Sequence, residues 1–130
     1  DNYLMPTFSK TSLERLATCH ENLQRIAHQA IKHQDFTVLC GYRGIDEQNR
    51  AFKEGKSKLQ WPFSKHNTYP STAFDLAPWP LDWNDLRQFL RLSGTIKRAA
   101  LELNIPIVWG GDWKTFKDYP HYQLDFSVKP

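Results

Sequence analysis

His66 and Asp75 stand nine positions apart in the stretch Ser64-Lys65-His66-Asn67-Thr68-Tyr69-Pro70-Ser71-Thr72-Ala73-Phe74-Asp75-Leu76-Ala77-Pro78. Both are good zinc ligands. His121 lies near the far end of the chain, three residues after Asp118. Three protein ligands and an open fourth position make a catalytic zinc centre, whose bound water becomes acidic enough to ionise near neutral pH. His66, Asp75 and His121 would supply two nitrogens and one oxygen. Asp118, across Tyr119-Pro120, could reach the water and take its proton as general base. Isolated His and Asp residues also satisfy hydrogen bonds in cores, so spacing alone leaves both readings open. The other histidines, His20, His28 and His33, fall on the polar side of a predicted helix, where solvated surface is expected. His20-Glu21-Asn22-Leu23-Gln24 lacks the second histidine that a helical metalloprotease motif needs.

The elements that must position these groups follow from periodicity. Residues 73–77 predict a short strand in which Asp75 shares a face with Ala73 and Ala77, while Phe74 and Leu76 take the other. Two flanking methyl groups predict open space above the carboxylate. Thr11-Ser12-Leu13-Glu14 has the form of a capping box, and Leu13, Leu16, Leu23, Ile26, Ala27, Ala30 and Ile31 then predict helix over 12–33, broken near Cys19-His20. Residues 36–40 predict a buried strand ended by Gly41, and 46–54 a short helix closed by Gly55. A long loop over 56–72 follows, the kind of segment that often carries function. Asp82 is the expected cap of a helix with one stripe through Leu86, Phe89, Leu90, Ile96, Ala100 and Leu103. Residues 107–109 predict a third strand, with the turn Gly110-Gly111-Asp112 after it. The last strand, 121–126, should send Tyr122, Leu124 and Phe126 to the core and His121, Gln123 and Asp125 to the other side. Residues 1–10 read as an irregular lead-in. The sum is one α+β domain over 1–130, an antiparallel sheet carrying the metal with helices on its other face.

Composition sets bounds around this reading. A chain of 130 residues fits one domain with a real core, supported by eight Phe, five Trp and five Tyr. No run of about 18 apolar residues exists, so no membrane insertion is expected. The N-terminal residues lack a basic region followed by an apolar one, so no secretory signal is expected, and the absent initiator Met reads as trimming. A net charge of +3 favours anionic surroundings such as nucleic acid, acidic lipid or bacterial cell wall, or simply an ordinary basic surface. Lys53, Lys56 and Lys58 make only a small basic cluster without a binding motif, so no nucleic-acid partner is expected. Cys19 and Cys40 are expected as reduced, largely buried thiols. For Trp61, Phe63, Tyr69, Trp79, Trp109, Trp113 and Tyr119, core packing is favoured over a substrate wall.

Ser64-Lys65-His66, Ala73-Phe74-Asp75-Leu76-Ala77-Pro78 and Asp118-Tyr119-Pro120-His121-Tyr122 together resemble the zinc D-Ala-D-Ala carboxypeptidase family, which includes phage L-alanyl-D-glutamate endopeptidases. Residues 8–16, Gly41-Tyr42-Arg43 with Gln48, and residues 105–113 resemble phage endolysins of this type, so nearly the whole chain is covered. The resemblance implies a Hedgehog/D-Ala-D-Ala peptidase-like fold, Zn2+ held by His66, Asp75 and His121, and Asp118 as acid/base. It implies that Arg43 faces the substrate, where a planar guanidinium can pair with a carboxylate in two-pronged fashion. Gln48 and Ser64 match substrate-facing positions, although helix-surface and turn-capping roles explain them too. The implied activity is hydrolysis of a peptidoglycan stem-peptide bond, L-Ala–D-Glu first. A D-Ala-D-Ala carboxypeptidase or dipeptidase, or a zinc-holding cell-wall module without chemistry, is the alternative. The expected protein is a monomer made in the host cytoplasm that acts on the wall once the membrane is permeabilised. Two departures stand out. The gap from His66 to Asp75 is two residues longer than is usual, with Tyr69-Pro70-Ser71 where a glycine is usual, and Gln123 stands where many relatives carry Glu.

Overall fold

A computed structural model describes residues 5–128. The expected lead-in over residues 1–4 lies outside the described residues, and residues 5–9 are non-helical as read. In chain order the elements are α1 (Lys10–Leu16), α2 (Glu21–Ala30), β1 (Phe36–Cys40), α3 (Ile45–Lys53), β2 (Ala73–Pro78), α4 (Leu86–Glu102), β3 (Ile107–Trp109) and β4 (His121–Leu124). Single 3-10 turns at Lys65–Asn67 and Gly110–Asp112 precede β2 and β4.

Local side chains set several of the boundaries. The first helix is capped by Ser9, whose hydroxyl accepts from the Ser12 N–H at 3.1 Å, rather than by Thr11. The break near Cys19-His20 is present. His20 turns out to be a cap and not merely solvated, since its Nδ1 accepts from the Asn22 N–H at 3.0 Å and starts α2. Gly55, at φ 78°, follows α3 in the left-handed conformation that favours glycine after a helix. Asp82 does not cap α4; it accepts from the Asn84 N–H in the preceding turn, and Asp85 is the N-cap residue. The buried stripe of α4 runs through Phe89, Leu92, Ser93, Ile96, Ala99 and Ala100, leaving Leu86 and Leu90 exposed. Leu90 lies about 120° round the helix from Ile96, at the centre of that stripe, and so falls outside it.

The four strands form one antiparallel sheet in the order β1-β2-β4-β3. Phe74 and Leu76 of β2, Tyr122 and Leu124 of β4, Val38 of β1 and Trp109 of β3 are buried with the apolar stripes of α2 and α4 in one core. Each such side chain contributes roughly 1.5–3 kcal/mol through its removal from water. Phe126 is not part of it. The last strand stops at Leu124, the Asp125 carboxylate folds back to accept from Ser127, and Phe126 is 70% exposed. Phe63, Tyr69 and Trp79 are exposed as well, against the core packing expected of them, whereas Trp109 is buried. Cys19 is buried and free, its thiol pushed up to about 12 by burial, and Cys40 is half-buried.

Strand β1 lies at the edge of the sheet, and its open main chain at Val38 is closed by α1. Ser12 Oγ accepts the Val38 N–H at 3.0 Å, and Arg15 Nη1 donates to the Val38 carbonyl at 3.0 Å. This covers an edge that would otherwise offer itself for strand pairing. Ser12→Ala would leave the buried Val38 N–H without a partner. The expected loss is about 1–3 kcal/mol of folding free energy, read as a lower urea midpoint at unchanged slope.

Candidate metal centre

β2 and β4 place two of the expected ligands by register. Asp75 lies directly opposite His121 in the antiparallel pair, so both side chains project from the same face. Asp75 Oδ1 is 3.3 Å from His121 Nδ1. His66 comes from the 3-10 turn before β2, and its Nε2 is 3.1 Å from the same oxygen. The ligating atoms of His66, Asp75 and His121 lie within 4.8 Å of one another. The structure therefore brings together the three residues singled out by type and spacing. Ala73 and Ala77 are fully buried, and Asp75 between them lines a cleft, as the open space expected above the carboxylate requires.

Each imidazole has its second nitrogen pinned. His66 Nδ1 is 2.8 Å from the Gly41 carbonyl, and His121 Nε2 is 2.8 Å from Gln123 Oε1. Both acceptors are neutral oxygens, which keeps a ring proton on the pinned nitrogen and turns the other nitrogen towards Asp75, where a metal ion could take the place of its proton. Gln123, standing in place of the usual Glu, thus orients His121. Two imidazole nitrogens and a carboxylate oxygen suit zinc, so the residues present fit the ion. The long gap between the ligands is looped out. Thr68, Tyr69 and Pro70 are exposed, while buried Ser71 is tied back by its N–H to the Thr18 carbonyl and by its own carbonyl to the His20 N–H.

Arg43 is held beside this trio. Its backbone N–H donates to the His66 carbonyl at 2.8 Å, Nη1 donates to Gln48 Oε1 at 3.0 Å, and Nη2 lies 3.5 Å from Asp75 Oδ2. Gln48 is fully buried, not on a helix surface, and its Nε2 donates to Ser57 Oγ and the Leu59 carbonyl. Ser64 caps the turn that carries His66 by accepting from the His66 N–H at 3.1 Å. Sequence reading missed Asn67. Its Nδ2 donates to the Arg43 carbonyl and to Gln48 Oε1, and its Oδ1 accepts from the Ser64 N–H. The signal was available in Ser64-x-x-Asn67, a reciprocal cap with Asn in the place of the usual Glu or Gln.

Asp118 sits on the tight turn before β4. Its N–H donates to the Gly110 carbonyl at 3.0 Å, and its own carbonyl accepts from the His121 N–H at 3.2 Å. A side chain on Gly110 would collide with the Asp118 carbonyl, which explains a glycine there. Asp118, Arg43 and the His-Asp-His trio line one open cleft of about 1120 Å³. Trp113 flanks it, its ring 5.2 Å from that of His121.

The charges in this cluster are strongly coupled. Burial disfavours the charged form of His66, but the Asp75 carboxylate outweighs burial and lifts the imidazole from 6.5 to about 10. Burial pushes the Asp75 carboxyl up, and His66 and His121 overcome it, holding Asp75 well below the usual carboxylate range. Asp118 is raised, by burial first and by the charge of Asp75 second, with His121, His66 and Arg43 opposing. The pairing of His66 in chelator-stripped protein is thus fully stabilising below pH 6.5 and is lost as the pH climbs through about 10. The melting temperature of that form should fall across this window. A zinc ion held by these residues would have to displace the same proton, so its affinity should rise with pH, with about one proton released per ion. Calorimetry in buffers of different ionisation enthalpy measures that number.

The chain is similar to several known proteins. A family model described as phage L-alanyl-D-glutamate peptidase matches residues 5–126. The L-alanyl-D-glutamate peptidase of Escherichia phage T5 is 36% identical over 118 residues, covering 86% of this chain and 85% of that protein. The peptidoglycan L-alanyl-D-glutamate endopeptidase CwlK of Bacillus subtilis strain 168 is 29% identical over 115 residues, covering 75% and 65% respectively. Among solved structures, the Serratia marcescens L-Ala D-Glu endopeptidase ChiX superposes with a TM-score of 0.81 at 30% identity, covering 97% of this chain and 96% of that one. The chain belongs to the phage L-alanyl-D-glutamate peptidase family.

Proposed function

We propose that this chain is a zinc-dependent peptidase that hydrolyses the L-Ala–D-Glu bond of the peptidoglycan stem peptide, in the manner of a phage endolysin. The observation that carries the reading is the meeting of His66, Asp75 and His121 on one face of a cleft that Asp118 and Arg43 also line. The names of the related peptidases supply the bond. Zinc at this site would lower the pKa of water and polarise a carbonyl. His66 and His121 would present it fixed lone pairs, oriented by Gly41 and Gln123. Asp118, with its raised pKa, is suited both to accept the proton of the attacking water and to return it to the leaving amine. Arg43, clamped by Gln48 and Asp75, would hold positive charge where the carbonyl oxygen becomes negative.

A metal-holding module without chemistry would have no use for a half-buried carboxylate of raised pKa in the cleft, which is why catalysis is the preferred reading. The working form is a monomer that reaches the wall from the host cytoplasm once the membrane has been opened. No helix among the described residues is long and apolar enough to cross a membrane.

Asp118→Asn keeps the side-chain shape and removes the base. It should retain zinc and lower kcat by about 10²- to 10⁴-fold; normal turnover by this variant would reject the base assignment. Mass spectrometry of digested peptidoglycan should reveal new N-terminal glutamate. Released free D-alanine would point instead to carboxypeptidase activity.

A further inference from the structure

A glutamate joined to alanine through its amine has two carboxyl groups, and at most one of them carries the peptide onward. The other remains as a charge a few bonds from the nitrogen that leaves. An enzyme cutting this bond, as proposed above, therefore meets an anion on the leaving-group side. Arg43 is already assigned above to the carbonyl oxygen, so this carboxylate calls for another cation.

The cleft carries other cations. Lys58 and Lys117 both line it, and neither has a carboxylate partner at ion-pair distance among the described residues. Lys58 comes from the loop after α3 and Lys117 from the loop before β4, yet one residue joins them. The Lys58 ammonium lies 4.8 Å from the centre of the Phe116 ring, and Lys117 follows Phe116 directly. Phe116 is 70% exposed and has a φ of 52°. A bulky residue is strained in that left-handed region, and strain of this kind gathers at functional sites. Core packing cannot account for it, because the ring is in solvent. Lys117 is steadied by its own hydrogen bond to the Gly111 carbonyl at 3.2 Å. Asp118, the group that would return a proton to the leaving amine, is the next residue along. In the proposed reaction the leaving side of the bond would face this corner.

We infer that Lys58 and Lys117, gathered at the Phe116 corner of the cleft beside Asp118, form a subsite that recognises the free carboxylate of the substrate glutamate. The inference rests on the proposed L-Ala–D-Glu activity. Charge selects here: an ammonium group donates a charge-assisted hydrogen bond to a carboxylate and gains far less from the carboxamide of the same shape.

Two synthetic stem peptides that differ only in having this carboxyl free or amidated test it, with wild-type zinc-loaded protein. The free-acid peptide should be favoured about tenfold in kcat/KM, the size of one charge-assisted contact, and added salt should shrink the ratio. The double variant Lys58→Gln, Lys117→Gln should bring the ratio towards one with zinc content and melting temperature unchanged. Lys58→Glu, Lys117→Glu should invert it. Equal cleavage of both peptides by the wild type, or an unchanged ratio in the double variants, overturns the subsite while leaving the L-Ala–D-Glu activity standing. Failure of the wild type to cut either peptide overturns the proposed activity, and the subsite with it.

Discussion

The Asp75 carboxylate, held between two imidazoles on a sheet, is the constraint from which the rest of the structure can be derived. It faces His121 because β2 and β4 pair in one register, and that register is set from behind by Phe74 and Tyr122, which lie opposite each other in the core. A slip of one residue would send His121 into the apolar layer and Tyr122 into the cleft. The hydrophobic alternation of the two strands and the convergence of the ligands are therefore one fact seen from two faces of the sheet. The core does more than hold the fold together; it sets the spacing of the polar atoms in front of it.

Around that pair, precision comes from neutral groups. The Gly41 carbonyl and the Gln123 amide orient the two rings without adding negative charge. Among the described residues Asp75 is then the one carboxylate in contact with both; its charge raises His66 and adds to the rise that burial gives Asp118. Asn67 and Gln48 extend the same logic outwards. Through their amides, the segment bearing Arg43, the turn bearing His66 and the loop after α3 are joined into a single hydrogen-bonded wall.

What was legible in the sequence was what local chemistry decides. The alternation in Ala73-Phe74-Asp75-Leu76-Ala77 specified a strand with the carboxylate on one side, and His66 and His121 were marked by type and by neighbouring turn residues. Where the text offers two equivalent signals, the reading failed. Ser9 and Thr11 can each cap α1, and only the docking of that helix against the Val38 edge selects Ser9. Gln48 looked like a polar residue on a short amphipathic helix. It is buried because Ser57, Leu59 and Asn67, distant in sequence, close over it. Phe126 continued the period of the last strand, but Asp125 captures the chain in a turn two residues before the pattern would end. Burial of polar groups and strand ends are decided by partners far along the chain, and no window of local residues contains them.

The looped-out stretch over residues 68–70 has a practical meaning. Its upstream end is fastened at the capped turn of Ser64 and Asn67, and its downstream end at Ser71, which is clamped between Thr18 and His20. Neither anchor uses the exposed residues between them, which touch the fold through Tyr69, its ring edge-on to Tyr42 at 5.3 Å. The bulge is accordingly a natural graft point, where a fluorophore attachment sequence or an affinity epitope could be spliced in a few residues from His66 while both anchors stay in place.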